Sequence, residues 1–575
     1  MTTQAPPHPR FSAVDSALAD LDRGVEIWAR TSLPARRLLL ARVHALTALY
    51  AHDWVQAAAG IKGLPEDSPL TGEEWLAGPY TMLTGLATMI DSLRALQRGH
   101  SPVDGYRFGT APGGRTTLRV LPQTGMDRLI MSGYSAEVWL PPGVSADQVR
   151  TQAGQEQRQA GREVGIGAVL GAGNVSSIPV LDALHELFAA DRVALVKLNP
   201  VMDPLLGAFQ AVLRPLIEHG VLRIVTGGAE VGHYLVHHPL VGHVHITGSA
   251  QTHDAIVFGT GPEGAARKQA GTPQLAKPIS SELGGVSPAI VLPGRWSRAD
   301  LRFQAENVVS QRLHNNGYNC VATQVVVISS DWAQKHQFLA ELRRALNAAP
   351  RRKAYYPGSE QRVQAVLDTC PTSERLDHGR VLVGPLAAGS PEAEYVFDAE
   401  VFGPALAVVT LPGEGREFLS EAVTLANEKI SGTLGACLIV DPATRRALGP
   451  QFENELARMR YGCIGVNVWI GLGYQIPAVP WGAFPGNELA EVGSGIGMVH
   501  NALFLQNPER SVIRGPFRPA PPRSLLGGEL SFAPSRPPWF VNNRTAHLTG
   551  AALTSYAAKS SWDKLPRIVF SALKG

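Results

Sequence analysis

GAVLGAGNVSSIPVLDALHELFAADRVALVKLNP, residues 167–200, sets two short apolar runs on either side of a helix-spaced stretch. Apolar runs of this length, bounded by glycine and joined by a helical pattern, read as a βαβ unit of a parallel sheet. The alternation continues downstream. LRIVTGG (222–228) and HVHITG (243–248) read as strands, and DPLLGAFQAVLRPLIEHG (203–220) and AEVGHYLVHHP (229–239) as helices. Ser176 or Ser177 is placed to cap the first helix, and Gly220 to end the second. After residue 282 a second block repeats the pattern, with strands in PAIVL (288–292), QVVVIS (324–329), ALAVVTL (405–411) and GTLGACLIV (432–440). Helices are predicted over 298–314 and 331–347, and the two blocks meet near 277–285.

Upstream, LADLDRGVEIWA (18–29), RRLLLARVHALTALY (36–50) and WLAGPYTMLTGLATMIDSL (75–93) space their apolar residues as helices, so 11–97 is expected to be helical. Residues 99–160 read as strands and loops. PFRPAPPRSLLGGELSFAPSRPP (516–538) is too rich in proline and glycine for regular structure, and 542–575 is expected to hold one helix or strand. The opening MTTQAPPHPR is polar, and no apolar signal core follows it. No apolar run approaches the roughly 20 residues that span a bilayer.

The 575 residues carry 52 basic and 49 acidic side chains, a balance of +3 that leaves no electrostatic footprint for nucleic acid. Four separated cysteines, Cys320, Cys370, Cys437 and Cys463, form no CxxC pair, which fits a reducing, cytoplasmic setting rather than a disulfide framework. His233, His237, His238, His243, His245 and His253 crowd one stretch, but no cysteine or paired carboxylate joins them. No metal is expected there.

Chemistry concentrates in four places. In NNGYNCVAT (315–323), Cys320 lies between a helix and a strand, where helix dipoles can lower a thiol's pKa toward a reactive thiolate. In SSELGGVSP (280–288), Glu282 precedes a Gly-Gly turn and can serve as a general base in a cleft. AEVFGP (399–404) puts a carboxylate and a ring two residues apart, and in GAGNVSSIP (171–179) the Asn174 amide can donate to an oxyanion. Taken singly, Cys320 reads as a structural cysteine and Glu282 as a solvated surface acid.

In order, GAGN, VKLNP, ITGS, ELGG, NNGYNC, EVFGP, GCIGVNVW and PWGAFPGN resemble the motif series of the aldehyde dehydrogenase superfamily, over residues 11–501. The resemblance implies an α/β fold of two doubly wound parallel-sheet domains with an oligomerisation extension. It implies N-terminal helices and a nucleotide-binding domain over 1–281, a catalytic domain over 282–495, and a C-terminal extension over 496–575 packing on the cofactor domain or a neighbouring subunit. It implies NAD(P)-dependent oxidation of an aldehyde to the acid by a homo-oligomer, dimer or tetramer. Cys320 would be the nucleophile, Asn174 an oxyanion donor, and Glu282 the base that frees the thioester. NAD or NADP would be held by Lys197, Gly248, Ser249, Glu400 and Phe402. Trp469, Tyr474 and Trp481 fall where the family lines its substrate tunnel, which points to a bulky or aromatic aldehyde.

Two positions depart from the pattern. The family often has an acidic residue three positions after the lysine, where this chain has Pro200; that leaves NADP open. His253 replaces a glycine expected after ITGS. Two rival readings remain: a CoA-dependent acylating relative, against which Glu282 argues, and a redox-silent scaffold that keeps the fold.

Overall fold

Strand Ile166–Leu170 and strand Val193–Lys197 pair in parallel, register Ile166 to Val193, as residues 167–200 predict. The computed structural model describes residues 11–159 and 164–575. The polar opening, MTTQAPPHPR, lies outside them. Val193–Lys197 is buried at all five positions, the mark of a parallel strand covered on both faces. Spatially, Gly495–Ile496, Ile279–Leu283, Val241–Gly248, Ile166–Leu170, Val193–Lys197 and Leu222–Val225 form a six-stranded sheet. It is parallel except for the Gly495–Ile496 edge.

Helices cover this sheet because their apolar residues fall on one side. Helix Leu206–Glu218 buries Phe209, Val212, Leu213 and Leu216 at helical spacing, and Gly220 turns the chain just past its end with φ +81°. Neither Ser176 nor Ser177 caps helix Ile178–Leu184. Instead Ser176 Oγ accepts from the Trp54 indole at 2.9 Å and the Ser177 hydroxyl reaches Ala77 and Tyr474, because long-range partners outcompete the local cap. As predicted, 11–97 is helical, in segments such as Ser12–Arg30, Leu33–Leu49 and Thr81–Gln97.

The second sheet has eleven strands. Its seven central strands run parallel, from Arg510–Arg514 through Cys463–Val466, Gly435–Ile439, Ser287–Val291, Thr323–Ser329 and Ala405–Leu411 to Val381–Ala387. Antiparallel strands extend it at both ends. One extension departs from the boundary drawn from sequence. Residues 107–139 do not stay with the nucleotide-binding half; their strands join the larger sheet through Ser135–Trp139 beside Arg510–Arg514, burying Leu118, Val120, Ala136 and Val138 in its core.

The C-terminal segment is more regular than its composition suggests. Arg510–Arg514 is an interior strand, and 542–575 holds two helices, Ala546–Ala558 and Leu565–Leu573, rather than one element. The first packs on helix Thr71–Trp75 of the same chain, at a crossing so close that a Cβ on Gly72 would lie 2.4 Å from the Ala546 carbonyl carbon. Among the described residues no helix is long and apolar enough to cross a membrane.

Candidate active site

The nucleophile candidate owes its place to a tight turn. Helix Arg298–Leu313 is buried along most of its length and ends at His314. Asn315, Asn316 and Gly317 then take left-handed φ of 54°, 56° and 80°. Asparagine tolerates that region and glycine has no Cβ to oppose it; at Gly317 a Cβ would lie 2.5 Å from the Gly403 carbonyl oxygen. The turn delivers Cys320 just before strand Thr323–Ser329, half-buried between the two sheets. Polar ties hold it. Asn315 Nδ2 donates to the Asn174 carbonyl at 2.9 Å, Asn315 N–H donates to Glu73 at 2.9 Å, and Tyr318 OH donates to Ser359 at 2.8 Å.

Glu282 comes from the smaller sheet, on Ile279–Leu283, and is 3% exposed. Its Oε1 accepts from the Trp481 indole N–H at 3.0 Å, and its carboxylate faces the Cys320 thiol. Burial pushes its pKa up to about 7, against these two contacts. The Cys320 thiol does not acquire the lowered pKa expected from helix dipoles. Burial raises it well above the ordinary value, and the neighbouring carboxylates Glu282 and Glu400 raise it further. The resting pair is therefore a neutral thiol beside a carboxylate poised near neutrality.

Asn174 follows strand Ile166–Leu170 and is buried. One hydrogen of its side-chain amide goes to the Tyr318 carbonyl at 2.9 Å, which ties it to the cysteine's own loop; an amide nitrogen carries a second. Its backbone carbonyl accepts from Lys62 Nζ at 3.2 Å, and Lys62 pairs with Glu74 at 2.7 Å, both buried. Sequence reasoning missed Lys62, Glu73 and Glu74. Charged residues in a helical stretch ordinarily read as a solvated face, and only the fold turns these inward.

The remaining candidates gather at the carboxyl ends of the smaller sheet's strands. Chain order reverses there between Ile166–Leu170 and Val241–Gly248, the crevice where open α/β sheets take nucleotides. Lys197 ends Val193–Lys197; burial lowers its pKa while Asp203 and Glu230 face it and oppose the fall. Asp203 lies one turn beyond Pro200, in the short helix Pro200–Leu205 capped by Asn199, so a carboxylate is present despite the departure at Pro200. Gly248 and Ser249 lead into helix Ala250–Val257, where Ser249 Oγ accepts from the Thr252 N–H at 3.2 Å. His253 is fully buried, facing Asp254 at 3.4 Å, so it occupies the core and not the mouth of this turn.

Glu400 reaches back over the Gly-Gly turn. It accepts from the Gly285 N–H, and a Cβ on Gly284 would lie 2.2 Å from its Oε1. Burial lifts its pKa to about 7, against the pull of Arg312 and Arg362. Phe402 stands beside Tyr356, centroids 4.8 Å apart, with the Arg362 guanidinium 6.0 Å from its centroid. A strand-end lysine with two carboxylates, free turn N–H groups and a carboxylate seated on glycine suit the riboses and pyrophosphate of a dinucleotide. Trp469 donates to the Val321 carbonyl beside Cys320 at 3.3 Å, and Tyr474 packs edge-on to Trp481 at 5.4 Å. All three sequence-flagged aromatics thus ring the thiol–carboxylate pair.

The sequence model of the aldehyde dehydrogenase family matches residues 205–354. Aminoaldehyde dehydrogenase 1, peroxisomal, of Pisum sativum is 28% identical over 308 residues, 48% of this chain and 54% of that protein. A 1-pyrroline-5-carboxylate dehydrogenase of Geobacillus thermodenitrificans is 26% identical over 355 residues, 58% of this chain and 64% of that one. The chain spans about half the length of the first of these curated relatives. The crystal structure of Mycobacterium tuberculosis aldehyde dehydrogenase complexed with NAD+ superposes with TM-score 0.57 at 18% identity, covering 87% of this chain and 89% of that one.

Proposed function

We propose, from the family match over residues 205–354, the relatives of 26–28% identity and the fold shared with solved aldehyde dehydrogenases, that the chain is an aldehyde dehydrogenase superfamily member that oxidises an aldehyde to the carboxylic acid with NAD(P). The observation that carries this reading is the Cys320 thiol facing the buried Glu282 carboxylate, with Asn174 tied to the same loop. Cys320 Sγ bonds to the carbonyl carbon as its proton passes to Glu282. The spare Asn174 N–H and the Cys320 backbone N–H hold the oxyanion, where a single donor contributes about 100- to 1,000-fold in rate. A bound nicotinamide supplies the hydride acceptor. Glu282, its proton released, then takes one from water as that oxygen attacks the thioester carbon; the acid leaves and the cysteine is restored.

Lys197, Gly248, Ser249, Glu400 and Phe402 would hold the dinucleotide. Asp203 and Glu230 beside Lys197 favour NAD, since carboxylates repel the extra phosphate of NADP. The ring of Trp469, Tyr474 and Trp481 favours a bulky or aromatic aldehyde. Exposed Leu526, Leu530, Phe532, Trp562 and Phe570 suit burial between subunits of a homo-oligomer, and unpaired thiols suit a reducing cytoplasm.

The test is a panel of aliphatic and aromatic aldehydes offered with NAD or NADP, read by absorbance of the reduced cofactor. Expected is reduction without CoA, faster with NAD, abolished in Cys320→Ala while cofactor binding persists. Silence from folded protein with every pairing would favour the scaffold, and strict dependence on CoA the acylating relative.

A further inference from the structure

Beneath Glu282 the smaller sheet carries a row of polar side chains that the proposed chemistry leaves unused. Strands Val241–Gly248 and Ile279–Leu283 pair in parallel with His245 opposite Ser280 and Thr247 opposite Glu282. Residues two apart on a strand share a face, so these four stand together on one side of the sheet. Helix Ile178–Leu184 lays Asp182 across them. Thr247 Oγ1 donates to Asp182 Oδ2 at 2.9 Å, and His245 Nε2 is 3.5 Å from the same oxygen. The other imidazole nitrogen lies 2.9 Å from Ser280 Oγ. Asp182 and His245 are each 2% exposed.

Burying a carboxylate and an imidazole where a parallel sheet ordinarily packs apolar side chains is costly, and pairing them recovers that cost only in part. Their position is what distinguishes them. Glu282 faces Asp182 and His245 from below, and Cys320, Trp481 and Glu400 on its other sides, with Tyr474 facing the same group. Asp182 repels a charge on Glu282; a protonated His245 attracts it. Burial alone would lower the His245 pKa, but Asp182, aided by Glu186 and Glu282, holds it above its usual value. His185 and His500 also border the pair.

We propose that Asp182 and His245, with Thr247 anchoring the carboxylate, are positioning residues that set how readily Glu282 takes and gives up its proton. The pair acts through charge and never touches the aldehyde. Two neighbours of opposite sign allow the base to be balanced near neutrality, where it must accept a proton from the thiol and later one from water. The inference rests on Glu282 being the base.

Its test is the pH dependence of Cys320 alkylation by iodoacetamide, followed by mass on the full chain, together with that of steady-state turnover. Alkylation needs no aldehyde and no cofactor. Asp182→Asn removes the repelling charge but also the partner that keeps His245 protonated, so it is introduced on top of His245→Gln, where it removes the repulsion alone and is expected to move the midpoint of both profiles down from that of His245→Gln, by about one pH unit. His245→Gln removes the attracting charge, and Thr247→Val leaves Asp182 without its hydroxyl donor; both are expected to move the midpoint up. KM for aldehyde is expected to stay within about twofold. Opposed shifts support the assignment. Midpoints that stay put, or variants that lose rate without a shift, overturn it. Should His245→Gln fail to fold, His245→Asn takes its place in both comparisons. If Glu282→Gln leaves the alkylation profile unmoved, or wild-type protein oxidises no aldehyde, the reading of Glu282 as base fails instead.

Discussion

The Trp481 indole donates its N–H to Glu282 Oε1 at 3.0 Å, and this bond between the two halves of the molecule steadies the ionised form of that carboxylate. Glu282 lies on the smaller sheet; Trp481 lies in the chain between strands Cys463–Val466 and Arg510–Arg514 of the larger one. The contact that joins the two halves is therefore also the one that orients the carboxylate.

Trp481→Phe keeps the ring and removes the donor. Leaving a buried acceptor short of one partner costs about 1–3 kcal/mol, and here it falls on the charged form of Glu282. Turnover is expected to rise with pH through a midpoint above the value of about 7 expected for the native carboxyl, because the base works only when ionised. Rate–pH profiles of the two proteins check this. A midpoint that stays in place or falls would remove Trp481 from any part in setting the base.

Acid stability should trace to Glu73. Burial would raise its pKa, but Arg352, His314, Lys62 and the Asn315 N–H together hold it below the ordinary value. A depressed acid stabilises the fold above its unfolded pKa, and that stabilisation is lost as pH falls through the folded value. Glu73→Gln is expected to destabilise the protein at pH 7 by about 3–5 kcal/mol, since Arg352 is left buried without its partner. The variant should also lose less stability than wild type between pH 5 and pH 3. Urea unfolding across that range reads both effects; an unchanged acid slope would assign it to another carboxylate.

The parts of this architecture that follow a period were legible in the sequence. The alternation around 167–200 gave the parallel strands their places because both faces are covered, and the order of ELGG and NNGYNC brought Glu282 and Cys320 to one crevice. What stayed hidden depends on contacts between distant segments. Nothing local tells that 107–139 pairs with Arg510–Arg514, or that Lys62, Glu73 and Glu74 turn inward to hold Asn174 and Asn315. The thiol's raised pKa was missed for the same reason: helix termini are visible in a sequence, whereas the approach of two buried carboxylates is not. Asp203 could have been found by looking one helical turn past Pro200.

Gly284→Ala tests whether the Glu400 carboxylate belongs to the cofactor site. A methyl group there would lie 2.2 Å from Oε1, so the carboxylate must leave the Gly285 N–H that fixes it. Expected is about tenfold weaker dinucleotide binding, some 1.4 kcal/mol. Titration calorimetry with NAD measures this; undiminished affinity would mean that Glu400 serves the fold and not the cofactor.

The C-terminal helices should govern the nucleophile loop from a distance. Helix Ala546–Ala558 clasps helix Thr71–Trp75, where a Cβ on Gly72 would lie 2.4 Å from the Ala546 carbonyl carbon and one on Gly550 would lie 2.7 Å from Trp75 Cβ. Helix Thr71–Trp75 carries Glu73, which binds the Asn315 N–H, and Glu74, which binds Lys62 and through it the Asn174 carbonyl. Removing residues 542–575 spares strand Arg510–Arg514 and so spares the larger sheet. The expected consequence is faster amide exchange at 71–80 and 314–319 while the central strands stay protected, because local opening follows the loss of buried contacts. Aldehyde turnover should fall with it. Gly550→Leu, which forces the same two helices apart without deleting chain, should reproduce the exchange pattern in milder form. Protection of 314–319 that survives both changes would break the link from the tail to the catalytic loop.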